Sequence, residues 1–197
     1  TGDSAAERTG TRQGCLFDVE SSRFLCTTFA TVVGHYRLTA LLQVGNQIDA
    51  LPGSPFDFLV EPAALSAEMT SASGVGLSTA IAGEFADFLV SARDRFGNVR
   101  ALTHGENLDR FILEVTGPTA VDNAIVDQQD GTYLVQYNAT TASNGLYHLR
   151  FFVVDETYPN GLEKVNSQII VTANVPSAHA STVLGASADG LPCTSDW

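Results

Sequence analysis

Three cysteines and four histidines are the side chains best suited to hold a metal or carry a nucleophile, and their spacing assembles neither. Cys15, Cys26 and Cys193 include no Cys-x-x-Cys pair, and His35, His104, His148 and His179 are dispersed, with no His-Glu-x-x-His string. A zinc site needs several such ligands at short, fixed spacings, so no metal is expected. Asp122, Asp127 and Asp130 offer the oxygen atoms that calcium prefers, but they match no loop of known ligand geometry, and a hairpin accounts for Asp127 and Asp130. Gly74-Val75-Gly76-Leu77 lacks the third glycine and the following helix of a dinucleotide-binding turn. No Gly-x-Ser-x-Gly elbow occurs, so neither catalysis nor a bound cofactor is expected.

Two features invite covalent modification instead. Asn138-Ala139-Thr140 is a glycosylation acceptor string at the point where a strand runs out into a loop, consequential only in a secreted chain. Cys15 and Cys26 flank a hairpin that turns near Glu20 to Arg23. With Glu20 opposite Arg23 they share a face but sit diagonally, about 7 to 8 Å apart, which exceeds an unstrained bridge. A disulfide between Cys15 and Cys26 therefore requires a bulge, and two unpaired core thiols are the other reading.

The rest of the composition suits a globular protein. Of 197 residues, 44% are hydrophobic and 16% charged; 22 acidic residues against 10 basic ones leave a net charge of −12, and Lys164 is the one lysine. Binding to nucleic acid or an anionic membrane needs clustered cations, so neither partner is expected. No run of about 18 apolar residues is present to span a bilayer. Thr1-Gly2-Asp3-Ser4 is neither a start methionine nor a signal peptide, and residues 1–13, small and polar, read as a linker at the start of an excised piece.

The elements that must position any site are strands. Glu84–Ala92 alternates, with Phe88, Val90 and Ala92 on the inward face; Asp94-Arg95-Phe96-Gly97-Asn98 turns the chain. Leu108–Thr116 follows, with Phe111, Leu113 and Val115 inward, and stops at Gly117-Pro118 because proline cannot donate to a ladder. Ala124–Gln128 and Thr132–Asn138 flank Asp130-Gly131, read as a type I′ turn with positive φ at both positions. Gly145–Val154 and Val165–Ala173 complete the set around a turn-rich segment, 155–164. No stretch sustains a helical period.

One pattern occurs twice at an offset of 111 residues: Gly34, Tyr36, Leu38, Leu42, Phe58 and Val60 return as Gly145, Tyr147, Leu149, Val153, Ile169 and Val171. A period near 100 residues suits whole sandwich domains. The predicted architecture is all-β: tandem immunoglobulin-like β-sandwiches, one complete (64–173) and two partial. Residues 14–62 hold the last four strands of the first module, and 174–197 open a third.

The string Gly76-Leu77, Ala82-Gly83-Glu84, Phe88-x-Val90-x-Ala92-x-Asp94-x-x-Gly97-Asn98, Gly117-Pro118, Asp130-Gly131-Thr132-Tyr133-x-Val135-x-Tyr137 and Gly145-x-Tyr147, with Gly53-Ser54-Pro55-Phe56 one module earlier, resembles the filamin (ABP280-type) repeat. Lys164-Val165-Asn166-Ser167 replaces the Gly-Ser-Pro-Phe string in the complete module, and Asn144-Gly145 stands where a proline-bearing turn is usual, marks of a divergent member. The resemblance implies docking of partner peptides beside the third strand, in a groove between the third and fourth. Carried onto this chain, the groove residues are Arg110, Ile112 and Glu114 with Ala124, Val126 and Gln128, Ile112 and Val126 lining it.

The expected role is a spacer and protein-interaction module of a larger filamin-like protein on a cytoskeletal or ciliary assembly. Its partners are neighbouring modules and peptides added as strands. A cell-surface adhesion ectodomain is the alternative, favoured by a Cys15–Cys26 bridge or a glycan on Asn138, and an accessory domain of a large enzyme or motor is another.

Overall fold

The computed structural model describes residues 15–101 and 109–174. The expectations for residues 1–13 and 175–197, and for His104, Leu108, His179 and Cys193, lie outside the described residues. The chain divides into two compact units, Thr1–Pro62 and Ala63–Trp197.

In the first unit six short strands form three two-stranded ribbons: β1 (Cys15–Asp18) with β2 (Arg23–Cys26), β3 (Gly34–Leu38) with β6 (Phe56–Val60), and β4 (Leu41–Val44) with β5 (Gln47–Ala50). The expected four strands are thus cut further. Gly45, at φ 64°, lets β4 fold straight back on β5. Pro52 and Pro55, which cannot donate to a ladder, separate β5 from β6. None of the described residues of this unit is buried.

The 111-residue echo is also an echo of register. Tyr36 faces Phe58 and Leu38 faces Phe56; in the second unit Tyr147 faces Ile169 and Leu149 faces Ser167, each pair displaced by the same offset. The surroundings differ. On the same offset Phe24 corresponds to Val135; Phe24 is 67% exposed and Val135 is fully buried.

The second unit contains β7 (Ser71–Ser73), a 3₁₀ turn (Val75–Leu77), β8 (Thr79–Ile81), β9 (Phe85–Ser91), β10 (Arg110–Thr116), β11 (Asp122–Asp127), β12 (Thr132–Asn138), β13 (Ser143–Val154) and β14 (Leu162–Thr172). One four-stranded sheet runs β10-β13-β14-β8 and the other β11-β12-β9-β7. All pairings are antiparallel except β14 with β8, which is parallel. Two-residue alternation sends Phe88 and Val90 of β9, Tyr133, Val135 and Tyr137 of β12, and Tyr147, Leu149, Phe151 and Val153 of β13 into one core, with Ile169 and Val171 of β14. Phe88 meets Phe151 edge-on across the sheets, at 5.5 Å between ring centroids. Each fully buried large side chain contributes about 1.5–3 kcal/mol. Two facing, mostly antiparallel sheets in this strand order make an immunoglobulin-like sandwich.

The β11–β12 hairpin departs from the predicted type I′ turn. Positive φ falls on Gln129 (63°) and Gly131 (85°), not on Asp130. The Gln128 amide donates to the Thr132 carbonyl at 3.0 Å, and the Asp130 carboxylate accepts the Thr132 amide at 2.9 Å and its hydroxyl at 2.6 Å. Gly131 is needed for contact as well as for φ: a Cβ there would lie 2.5 Å from Val99 Cγ1 and 2.9 Å from the Ala101 nitrogen.

Candidate functional site

Local alternation places the six predicted groove residues, and it separates them. Phe111, Leu113 and Val115 of β10 pack against the core, so Arg110, Ile112 and Glu114 point away from it, on the outer face of their sheet. Ile125 of β11 packs inward too, which puts Ala124 and Val126 on the outer face of the other sheet. Ile112 (39% exposed) and Val126 (44%) therefore stand on opposite outer surfaces and do not line one groove. Glu114 is held 3.1 Å from Arg150, whose guanidinium also contacts Glu163 at 3.0 Å and lies over the Phe152 ring. Gln128 falls beyond β11, in the turn. Parity in the sequence separates inward from outward within a strand, but it does not show that the third and fourth strands belong to different sheets.

The structure instead brings together the residues of opposite parity. Among the described residues β10 and β11 are the end strands of their sheets, and between them lies a recess of about 370 Å³ lined by Asp109, Arg110, Phe111, Ile125, Asp127 and Tyr133. Phe111 and Tyr133 meet at 4.6 Å between ring centroids. Of the six predicted residues, Arg110 alone lines the recess. An end strand leaves one row of backbone N–H and C=O groups outside its ladder, and an apolar floor beside it can take alternate side chains of an added strand.

Behind the recess is a buried polar cluster that sequence reasoning missed. Asp109 accepts the Tyr133 hydroxyl at 3.1 Å and binds one edge of the Arg100 guanidinium with both oxygens, 2.8 Å to Nη2 and 3.1 Å to Nε. The Arg100 and Asp109 side chains are 8% and 2% exposed. Burial, then the adjacent Asp109 charge and the hydrogen bond to it, push the Tyr133 phenol far above its ordinary pKa. Arg100 Nη1 also donates to the carbonyl of Ala63.

The amide of the same Ala63 donates to Asp94 Oδ2 at 2.9 Å. Asp94, fully buried, further accepts the Phe96 and Asn98 amides at 2.9 Å each and the Asn98 carboxamide at 2.8 Å. Desolvation alone would raise the Asp94 pKa. The bonds from Asn98, Ala63 and Phe96 outweigh it and hold the carboxyl below its ordinary value. The string Asp94-x-x-Gly97-Asn98 signals the turn in the sequence; its reach to Ala63 does not show there.

The remaining candidates lie elsewhere. Cys15 faces Cys26 directly, at a Cα separation of 4.2 Å, and their sulfurs are bonded. The diagonal expectation placed Glu20 opposite Arg23, whereas Asp18 occupies that position: its carboxylate accepts the Glu20 amide and the Ser21 hydroxyl, closing a longer turn that brings the cysteines into register with no bulge. Asn138 is the last residue of β12, paired with Asp122 on one side and Phe85 on the other, and its carboxamide oxygen is enclosed without a hydrogen-bond partner. His35 faces Leu59 on β3, and His148 lies on β13 between Thr116 and Gln168. Among the described residues no group of three potential ligands comes together to hold a metal, and no helix is long and apolar enough to cross a membrane.

Comparison with known proteins matches residues 64–160 to the Filamin/ABP280 repeat. Filamin-A of Drosophila melanogaster is 32% identical over 102 residues, which cover 51% of this chain and 4% of that protein's length. Among solved structures, the Lin-41 filamin domain aligns at 17% identity over 56% of this chain and 97% of that one, with a TM-score of 0.40. Invasin, a bacterial integrin-binding protein, aligns at 17% identity over 71% of this chain and 25% of that one, with a TM-score of 0.43. Residues 64–160 are a filamin/ABP280-type repeat.

Proposed function

We propose that the second unit is a structural and protein-interaction module that docks an extended peptide by strand addition on the outer edge of β10. The observation that carries this reading is the recess itself: two end strands from different sheets flank an apolar floor of Phe111, Ile125 and Tyr133. Backbone pairing supplies affinity in such an arrangement, and side chains entering the recess supply selectivity. Peptides selected from a random library against the whole chain should protect the amides of residues 110–116 from hydrogen exchange. Binders that protect other strands and leave these amides unchanged would sink the reading.

The setting of the module is read from its chemistry. Disulfides persist in oxidising compartments and are rare in the cytosol. The bonded Cys15–Cys26 pair therefore supports an adhesion or cell-surface protein over a cytoskeletal or ciliary one. Alkylation of the native protein decides between them: two more thiols labelled after reduction than before fit the exported reading, and equal labelling fits the cytoskeletal or ciliary one.

A further inference from the structure

We infer that the recess between β10 and β11 is coupled to the point where the chain enters the second unit, so that a docked strand and the entry segment stabilise each other. This rests on the docking reading above and adds a means of regulating it. The floor residue Tyr133 donates to Asp109, Asp109 grips Arg100 in a two-pronged pair, and Arg100 donates to the Ala63 carbonyl. Three residues, Tyr133, Asp109 and Arg100, thus connect the recess to Ala63 without a break. Asp94 holds the other side of the same residue through the Ala63 amide.

The entry segment is fastened as a strap. After Ala63, the Ser66 amide donates to the Arg93 carbonyl at 2.8 Å and the Ala67 amide to Asp155 at 2.6 Å. The Tyr158 hydroxyl and the Lys164 ammonium bond to Glu68. Arg100 and Asp109 are too enclosed for water to replace a lost partner at little cost, so the cluster is favoured whole and disfavoured in part. That gives the strap two discrete states, fastened and released, where a solvated contact would loosen gradually.

A strand that places an apolar side chain against Phe111 and Tyr133 confines the phenol on Asp109 and so favours the fastened state. Linkage makes the effect mutual: whatever releases Ala63 weakens docking by the same factor that docking tightens the strap. The occupant is an extended peptide with an apolar residue at the recess.

Two measurements on the whole chain test the coupling. Tyr133→Phe removes only the hydroxyl that donates to Asp109. Exchange at the Ala63, Ser66 and Ala67 amides should accelerate about fivefold, the factor for one lost hydrogen bond, relative to the Val135 and Leu149 amides. Strap amides that change no more than those core amides overturn the coupling. Ala63→Pro deletes the amide held by Asp94, and peptides that protect residues 110–116 in the parent should bind this variant about fivefold more weakly. Undiminished binding refutes the coupling and leaves docking standing; a failure of every selected peptide to protect β10 refutes docking, and the coupled device with it.

Discussion

Asp94 spends its burial on four hydrogen bonds, and that sets how the second unit responds to acid. Its folded pKa lies below the ordinary 3.8, so the stability it contributes is fully present above that value and is lost as pH falls through the folded one. Asp94→Asn puts an amide donor where one of the bound donors now points and should cost about 1–3 kcal/mol at pH 7. The difference from the parent should shrink below about pH 4, as denaturant unfolding across pH will show. The alkaline edge runs the opposite way. Burial pushes the Tyr137 phenol up to about 12 from an ordinary 10, so its contribution is complete below pH 10 and falls as pH rises from 10 toward 12. Tyr137→Phe should flatten that fall. Gly117 is a third constraint at this scale, because a Cβ there would sit 2.1 Å from the Tyr147 ring. Gly117→Ala should displace the ring and lower the midpoint of thermal unfolding by several degrees, about the effect of 1–2 kcal/mol in a domain this size. In the sequence that glycine reads as the end of a strand; a ring thirty residues away is invisible to local pattern.

Elements show more evenly what alternation can and cannot reveal. The inward residues of β9, β10, β12 and β13 follow from a period of two, and each is buried or packed against the core. The hairpin β1–β2 and the recess both fail at the next step, which strand end faces which. Asp18 takes the position assigned to Glu20, and β11 lies in another sheet than β10. Turn closure and sheet order come from hydrogen bonds between distant residues, so parity alone leaves them undetermined. The disulfide also belongs to this scale. It closes a loop with a sequence separation of 11, and breaking it removes up to about 3 kcal/mol from the hairpin it ties. Cys15→Ser with Cys26→Ser should accelerate amide exchange in residues 15–26 and leave the thermal transition of the second unit where it is, since the core cluster of that unit is built from residues 65–171.

For the whole molecule, the two units carry the same register with opposite surroundings. The second buries its alternating face between two sheets, while none of the described residues of the first is buried. Cooperative unfolding needs a core, so calorimetry should record one main transition, and residues 63–174 alone should reproduce it within a degree or two. A second transition of comparable enthalpy from residues 15–62 would contradict this. The repeat at 111 residues was legible because tyrosine, leucine and glycine hold matching ladder positions in both units. The difference in burial was not, because it depends on the strands that flank each pair.

One pairing decides how such a unit bears load. β8 follows the entry segment and β7, β14 is the last strand among the described residues, and the two are parallel, with Thr79, Ala80 and Ile81 beside Ile170, Val171 and Thr172. Pulling the ends apart draws β8 backward and β14 forward along a common axis. The bonds between them are then strained together, in shear, and do not open one after another like a zip.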